Sequence, residues 1–366
     1  MLPTLATKRQ QLPSVATGAY RRIVTDTEGT RRVTIRDVAR AAGVAPSTVS
    51  RALSLPDRVN RATQLRIQQK ADELGYSVAA PTARGFGSRT RAIAVLVSDI
   101  TNPFYFDVIR GTQHELASAG RTQLLVDTEE SAEAEASALR ALPTTADGAV
   151  LTASRLSDAS IARVAERLPV VAVNRRPPGV PSVLIDTPGG VEQAVQHLVS
   201  LGHSEILYIA GPESSWSNER RWRALVEATR QLQVTVRRTG PFAPVVDSGA
   251  AAADAAVNSG VTACIAFNDL IAIGMLARLR ERGVRVPDDL SVVGCDDIFG
   301  ADFCNPPLTT MTSPIERAGQ VAVRLLLRQI NDSSGRRAYP ESVVLPTHLT
   351  VRESTGPARS PAKGDR

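Results

Sequence analysis

The sequence predicts a multidomain chain, a small all-α module followed by a large α/β body with parallel sheets. Three observations predict it. Residues 33 to about 76 repeat apolar positions at helical spacing over three short stretches. From Ala92 onward, apolar runs of about five residues alternate with amphipathic stretches, the pattern of parallel strands covered by helices on both faces. Charge is also divided. Residues 1–91 hold 16 Lys and Arg against 6 Asp and Glu, and the remainder 27 against 31, so a head of net +10 precedes a body of net −4. A basic head on a mildly acidic body points to a polyanion met by one end only.

At 366 residues the chain exceeds one comfortable core, and its 43% apolar residues suffice to fill two or three. No apolar run nears the roughly 18–20 residues of a membrane helix, and MLPTLATKRQQLPSVATG lacks the continuous apolar core of a secretory signal. The expectation is a soluble, cytoplasmic protein with no membrane partner. Cys264, Cys295 and Cys304 show no CxxC spacing and only four histidines accompany them, so no disulfide framework, metal site or cofactor is expected. Cys264 and Cys295 sit in strand-like runs and read as inert buried thiols.

In chain order, residues 1–31 lack periodicity and read as a disordered leader without function. Thr34 is placed to cap a helix from Ile35 to Ala42, with Ile35, Val38, Ala39 and Ala42 on one face. Gly43 supplies a left-handed turn, Val44 plugs the corner, and Pro46 suits the first turn of a second helix ending near Leu53. Ala42, Val44, Val49 and Leu53 then face inward and Ser47, Thr48, Ser50 and Arg51 outward. This is a helix-turn-helix pattern. Short hydroxyls permit close approach to a phosphate backbone, and a lone Arg in the second turn reaches a guanine edge in the major groove. A third helix, Thr63 to Leu74, offers Leu65, Ile67, Ala71 and Leu74 for packing. Residues 77–91, SVAAPTARGFGSRTR, have linker composition.

The body contains eight apolar runs, AIAVLV, TQLLV, GAVLT, PVVAV, SVLI, EILYIA, TACIAF and SVVG. The helical intervals between them stop at Gly120, Gly202 and Gly283, where left-handed caps are expected. So many strands suit two doubly wound lobes or a barrel. In open α/β sheets ligands bind at the carboxyl ends of strands. There lie Asp99, followed by Asn102-Pro103 and then Phe104, Tyr105 and Phe106; Asn174; Arg221 in NERRWRAL; Asn268 and Asp269; and Asp296. Taken singly each has a helix-capping explanation, Asn268 above all. Five converging on one cleft are harder to explain so. His203 reads as structural. No GxxxxGK[ST] or GxGxxG stands between strand and helix, and no nucleophile setting is visible, so catalysis has no seat.

VTIRDVARAAGVAPSTVSRALS, with Val59, Asn60, Thr63 and ADELGY, resembles the headpiece of the lactose-repressor (LacI/GalR) family of bacterial transcription regulators. SDITNPFYFDVIRG, LVSLGHSEILYIAGP, AFNDLIAIGMLARLRERGVRVPDDLSVVGCDD and PPLTTMTSPIERAGQVAV extend the resemblance over about residues 33–353. It implies a headpiece over 32–76, a hinge linker over 77–91 and a two-lobed, periplasmic-binding-protein-like body with parallel doubly wound sheets. The lobes are expected over 92–187 with 313–338, and over 188–312 with 339–353, followed by a disordered tail, 354–366.

By the same resemblance the chain is a repressor whose homodimer binds a pseudo-palindromic, double-stranded operator. Pro46 and Ser47 fall where base choice is made, Thr34, Thr48 and Ser50 match phosphate-contacting hydroxyls, and Arg51 matches a base reader. Ser54, Arg58 and Asn60 fall at further backbone contacts. Ala45 departs from the serine common there, which costs about 1 kcal/mol of capping. The linker departs further. Ala83 and Arg84 are present, but Gly85 or Phe86 stands where a Leu wedge is expected, leaving Phe86 as the wedge and a hinge that is disordered without DNA.

The resemblance also places Tyr105, Phe106, Asn174, Arg221, Asn268 and Asp296 in an effector cleft between the lobes. An aromatic face with Asp, Asn and Arg side chains suits a hydroxylated ring, so a sugar or sugar derivative leads, with a purine or nucleoside open. Lobe closure would alter the spacing of the hinge segments. A sugar-binding transport protein predicts an export signal and no headpiece, both at odds with this sequence. A sugar-converting enzyme needs a phosphate loop, a metal cluster or an acid/base pair, and none is found. No long heptad follows Val351, which favours a dimer over a tetramer.

Overall fold

The structure, a computed structural model, describes residues 33–54, 59–74, 90–332 and 341–359. The leader over 1–31, Arg58, Arg84 and Phe86 and the last tail residues lie outside the described residues, as do the side chains of Leu53 and Ser54. The chain divides into two compact units, Met1–Gly87 and Ser88–Arg366.

The smaller unit is three helices, α1 (Ile35–Ala42), α2 (Pro46–Ser54) and α3 (Arg61–Glu73). Thr34 starts α1, and the Asp37 carboxylate accepts hydrogen bonds from the Thr34 backbone N–H (2.9 Å) and hydroxyl (2.6 Å). Gly43 ends it at φ 63°, a left-handed residue that any side chain would strain. The Val44 N–H then returns to the Ala39 carbonyl (3.0 Å), turning the chain into α2. Val38, Ala39, Ala42, Val49, Ala52, Ile67 and Ala71 form the core. Leu65 and Leu74, expected to pack, stand 64% and 38% exposed. At 100° per residue Leu65 lies nearly opposite Ile67, so the face that buries Ile67 and Ala71 excludes it.

In the larger unit the first sheet contains β1 (Ala92–Val97), β2 (Thr122–Asp127), β3 (Gly148–Thr152), β4 (Val170–Val173), β5 (Ser182–Ile185) and β11 (Ser342–Leu345). Helices α4 (Phe104–Ser118), α5 (Ala132–Ala141), α6 (Asp158–Ala165) and α11 (Ile315–Asn331) cover it. Alternate residues of one strand serve opposite faces. Ile93, Val95 and Val97 join α4 and α11, while Ala94 and Leu96 join Leu139 of α5 and Ile161 of α6. A Cβ at Gly111 of α4 would sit 2.0 Å from the Glu316 carbonyl oxygen, so glycine lets α4 and α11 touch through their backbones.

The second sheet contains β6 (Glu205–Ile209), β7 (Thr235–Thr239), β8 (Ala263–Ala266), β9 (Ser291–Asp296), β10 (Thr309–Thr312) and β12 (His348–Thr350). Its helices are α7 (Thr187–Ser200), α8 (Trp216–Gln231), α9 (Gly249–Ser259) and α10 (Asp269–Glu281). The strand orders β2-β1-β3-β4-β5-β11 and β7-β6-β8-β9-β10-β12 repeat one doubly wound pattern. Both sheets are open, which rules out the barrel. Every strand pair among the described residues is parallel except β10 with β12.

The chain passes between lobes at Asp186, after Thr312, and between Leu345 and His348. These crossings are bonded together: Thr347 Oγ1 donates to the Asp186 carbonyl (2.8 Å), and the Thr312 and Thr350 hydroxyls share a hydrogen bond. Helix stops at Gly120, Gly202 and Gly283 have φ 64°, 90° and 71°, as expected.

Two expected boundaries are corrected. The second lobe does not resume at residue 339, because β11 pairs with β5 and extends the first lobe to Leu345. The tail is not disordered from residue 354. Ser354 is fully buried, donating to the Val292 carbonyl (2.6 Å) and accepting from the Thr309 N–H (2.8 Å). Gly356 bonds to Ser291, and the Ala358 N–H reaches the Leu201 carbonyl (2.8 Å).

His203 helps to hold that segment. Its Nε2 donates to the Gly356 carbonyl (3.1 Å) and its Nδ1 pairs with the Thr262 hydroxyl (2.8 Å), a structural role as expected. Cys264 and Cys295 are buried, and burial pushes the Cys264 thiol up to about 12. No helix among the described residues is long and apolar enough to cross a membrane.

Candidate functional site

Two surfaces carry the residues singled out in the sequence. In the smaller unit, burying Val49 and Ala52 rotates the other face of α2 outward, so Pro46, Ser47, Ser50 and Arg51 are exposed and Thr48 half-buried. The Ala45 carbonyl accepts from the Thr48 and Val49 N–H groups (2.9 and 3.2 Å), so the backbone starts α2 without a capping serine. Asn60 has a local role as well. Its Oδ1 accepts from the Ala62 N–H (2.9 Å), and its carbonyl from the Gln64 N–H (2.9 Å), which caps α3.

In the larger unit a cleft lies between the lobes, at the carboxyl ends of both sheets. Tyr105, Asn174, Arg221, Asn268 and Asp296 all line it. Each doubly wound sheet reverses its winding between its first and third strands, β1/β3 and β6/β8, and the cleft opens there. Strand ends turn into it through left-handed residues, Glu130 after β2 (φ 58°), Ala153 after β3 (φ 49°) and Asn174 after β4 (φ 57°). Such conformations are disfavoured for side chains other than glycine and concentrate at binding sites.

Arg221 organises the second lobe's wall. One Nη donates to Asp296 Oδ1 at 3.1 Å, the other donates to the Phe267 carbonyl, and the guanidinium carbon stands 4.7 Å from the Phe267 ring centroid. Burial raises the Asp296 carboxyl above its ordinary range, and the Arg221 charge opposes that rise. Asn268 combines two roles. Its Oδ1 caps α10 through the Ile271 N–H (3.1 Å), its Nδ2 donates to the Pro244 carbonyl (3.1 Å), and the side chain still borders the cleft. Asn174 Oδ1 and Arg221 Nε are buried without a hydrogen-bond partner. Among the described residues Arg175 Nε and Arg220 Nε share that state, but of the four only Asn174 and Arg221 belong to residues that line the cleft, and an unpaired buried polar atom there suits a ligand.

The cavity is about 40 Å³, against roughly 300 Å³ at the low end of ligand pockets. The cleft is therefore narrower in this arrangement than a sugar ring needs.

Two expected residues stand elsewhere. Asp99 folds back on its own loop, its Oδ1 accepting from the Thr101 N–H (2.8 Å) and hydroxyl (2.6 Å), and it does not line the cleft. Phe106 is 44% exposed, because one residue beyond Tyr105 on α4 is a 100° rotation away from the cleft. Phe104 packs edge-on against Tyr105, with centroids 5.1 Å apart. Sequence reasoning missed Glu130 and Arg155, which pair at 2.7 Å (Arg155 Nε to Glu130 Oε2), as well as Ser215, Ser217 and Phe267. The rule that found Asn174 applies equally to LLVDTEE and GAVLTASR, so the first pair was within its reach.

The comparisons follow the same division. Residues 34–78 match the bacterial regulatory proteins of the lacI family, and residues 195–355 match the periplasmic binding protein-like domain. The HTH-type transcriptional repressor CytR of Escherichia coli (strain K12) is 34% identical over 331 residues, spanning 88% of this chain and 96% of that relative. The chain belongs to the lacI family.

Solved structures agree. The lac repressor dimer bound to operator and the anti-inducer ONPF aligns with a TM-score of 0.74 at 26% identity, over 89% of this chain and 100% of that one. The transcriptional regulator CelR in complex with cellobiose aligns with a TM-score of 0.65 at 31% identity, over 88% and 100%. The lacI-family helix-turn-helix match begins at Thr34, the residue that starts α1, and the body match runs through the buried Ser354.

Proposed function

We propose that this lacI-family chain is a transcriptional repressor that binds operator DNA as a homodimer and releases or tightens its hold in response to a small molecule. The observation that carries the reading is one chain bearing both an exposed hydroxyl-and-arginine face on α2 and a cleft walled by both lobes. In this reading α2 enters the major groove. Pro46 and Ser47 take part in base choice, Thr34, Thr48 and Ser50 approach phosphates, Arg51 reads a base edge, and Ser54, Arg58 and Asn60 make further backbone contacts. Arg84 and Phe86 act in the minor groove.

The effector is a sugar or sugar derivative held by Tyr105, Asn174, Arg221, Asn268 and Asp296. A purine or nucleoside is the second candidate, since it too would use an aromatic surface in the cleft. Arg221 covers one face of Phe267, which leaves less aromatic surface for a purine to stack on. That favours the sugar. The ligand acts by its different affinity for two lobe arrangements. No catalytic role is assigned, and the protein works in the cytoplasm, where the DNA is.

Self-association has its own support. Phe299 and Phe303 form an edge-on pair with centroids 5.0 Å apart, yet stand 77% and 65% exposed. Two large rings at the surface mark a contact face. A salt titration of binding to random duplex DNA tests the DNA role: affinity should fall steeply with added salt, and a flat response overturns it.

A further inference from the structure

The cleft holds two guanidinium groups, and each is already neutralised by a carboxylate of the same wall. Arg155 is paired with Glu130 (2.7 Å) in the first lobe and Arg221 with Asp296 (3.1 Å) in the second. The arginine side chains are only 6% and 5% exposed, so water does not screen them. The other polar side chains lining the cleft are uncharged: three asparagines, two serines and Tyr105. Among the residues lining the cleft, the two buried atoms without a hydrogen-bond partner are one acceptor, Asn174 Oδ1, and one donor, Arg221 Nε. A hydroxyl group serves both kinds of partner, since it donates and accepts. A carboxylate only accepts, and a carboxylate or phosphate alike would bring negative charge into a narrow space already holding two carboxylates.

We infer that the cleft selects an uncharged polyhydroxylated ligand and rejects its phosphorylated or carboxylated counterparts, with Glu130 as the residue that sets this preference on the first lobe. The inference rests on the cleft being the effector site. Glu130 is the more adjustable half of the two pairs. It is 26% exposed, it sits on a loop after an edge strand, and its removal takes from Arg155 its ion-pair partner at the cavity, leaving the Ala153 carbonyl and the more distant Glu135 carboxyl beside the guanidinium. Arg221 is held differently, by the Phe267 carbonyl and ring as well as by Asp296.

The test uses the full chain and inorganic phosphate, which needs no knowledge of the effector. Thermal shift and calorimetry are run on the native protein, on Glu130→Gln, and on Glu130→Gln with Arg155→Gln. Native protein should show no phosphate binding. Glu130→Gln should gain it by about tenfold or more in affinity, and the double variant should lose it again. Glu130→Asn is the second variant, because asparagine tolerates the left-handed backbone at φ 58°.

Matched pairs extend the test: ribose and ribose 5-phosphate, glucose and glucose 6-phosphate, adenosine and its monophosphate. The neutral member alone should bind native protein. Phosphate binding to native protein that Arg155→Gln abolishes, a phosphorylated member that binds as well as its neutral partner, or folded Glu130 variants that gain nothing each overturn the inference. The effector-site reading fails separately, if Asp296→Ala leaves the DNA response to a bound neutral ligand intact.

Discussion

Arg221 on α8 and Asp296 at the end of β9 lie 75 residues apart in the chain and meet at 3.1 Å, both more than 90% buried. The pair ties two elements of the second lobe together at the wall of the cleft. Removing one partner strands the other charge away from water. Asp296→Ala should therefore lower stability by about 3–5 kcal/mol and remove the response to ligand, whereas Arg221→Met with Asp296→Leu should recover much of the stability but not the response. Denaturant melts and ligand titrations of the three proteins check this. A normal ligand response in Asp296→Ala would remove it from the site.

The face of α2 predicts a division of labour. Arg51→Ala should relax sequence preference, and Thr48→Ala should weaken all duplexes nearly equally while reducing no preference. Footprinting both variants on the preferred sequence, and anisotropy on random duplex, separate the two effects. Equal loss of preference in both variants would refute it.

At Gly111 even one methyl group meets the Glu316 carbonyl oxygen at 2.0 Å. Gly111→Ala should push α11 away from α4 and destabilise the body by about 1–3 kcal/mol, although alanine favours helix. Thermal unfolding measures it. An unchanged or raised midpoint would show that the two helices are not pinned there.

Asp269 starts α10 in full burial, accepting from the Thr310 hydroxyl (2.6 Å) and the Ile298 N–H (2.9 Å). Burial, with the nearby Asp296 charge, pushes its carboxyl up to about 7 from an ordinary 3.8. The folded state thus holds a proton that the unfolded state releases, so this contribution is complete below the unfolded value and is lost as pH rises through about 7. His203 has the opposite sign: burial lowers it, so its contribution is lost as pH falls below 6.5. Between pH 6.5 and about 8 the Asp269 effect stands alone of the two, and the melting temperature should fall with rising pH, with the slope reduced in Asp269→Asn. A rising slope contradicts the assignment.

Phe299→Ser with Phe303→Ser should shift the protein toward monomer in sedimentation and weaken operator binding without unfolding the lobes, since both rings are largely solvent-exposed. A dimer unchanged in the double variant would move the self-association face elsewhere.

What the sequence made legible followed from periodicity. Strands β1 and β3, buried on both faces, appear as unbroken runs of Val, Ile, Leu and Ala, and the Gly43 turn is visible because a left-handed residue is required there. Strand β7, TVRRT, escaped because an edge strand that is mostly exposed carries no apolar signal. The lobe that receives β11 depends on which sheet edge is open, and no local pattern of SVVL records that.

Ser354 and Gly356 sit in a polar, glycine-containing stretch that composition reads as disordered. They are ordered by partners as distant in sequence as Val292, Ser291 and His203. In the cleft, the strand-end rule located Asn174, Asn268 and Asp296 but not the direction a side chain takes. That direction separates Tyr105 from Phe106 and turns Asp99 back upon Thr101.

The most direct test is selection of genomic fragments by the full chain, followed by anisotropy on the retained sequence with and without a neutral sugar found by thermal shift. The expected result is one discrete sequence with approximate twofold symmetry and an affinity that the sugar changes by about 5- to 150-fold in native protein but not in Asp296→Ala. Retention of all fragments alike, with or without ligand, would contradict it.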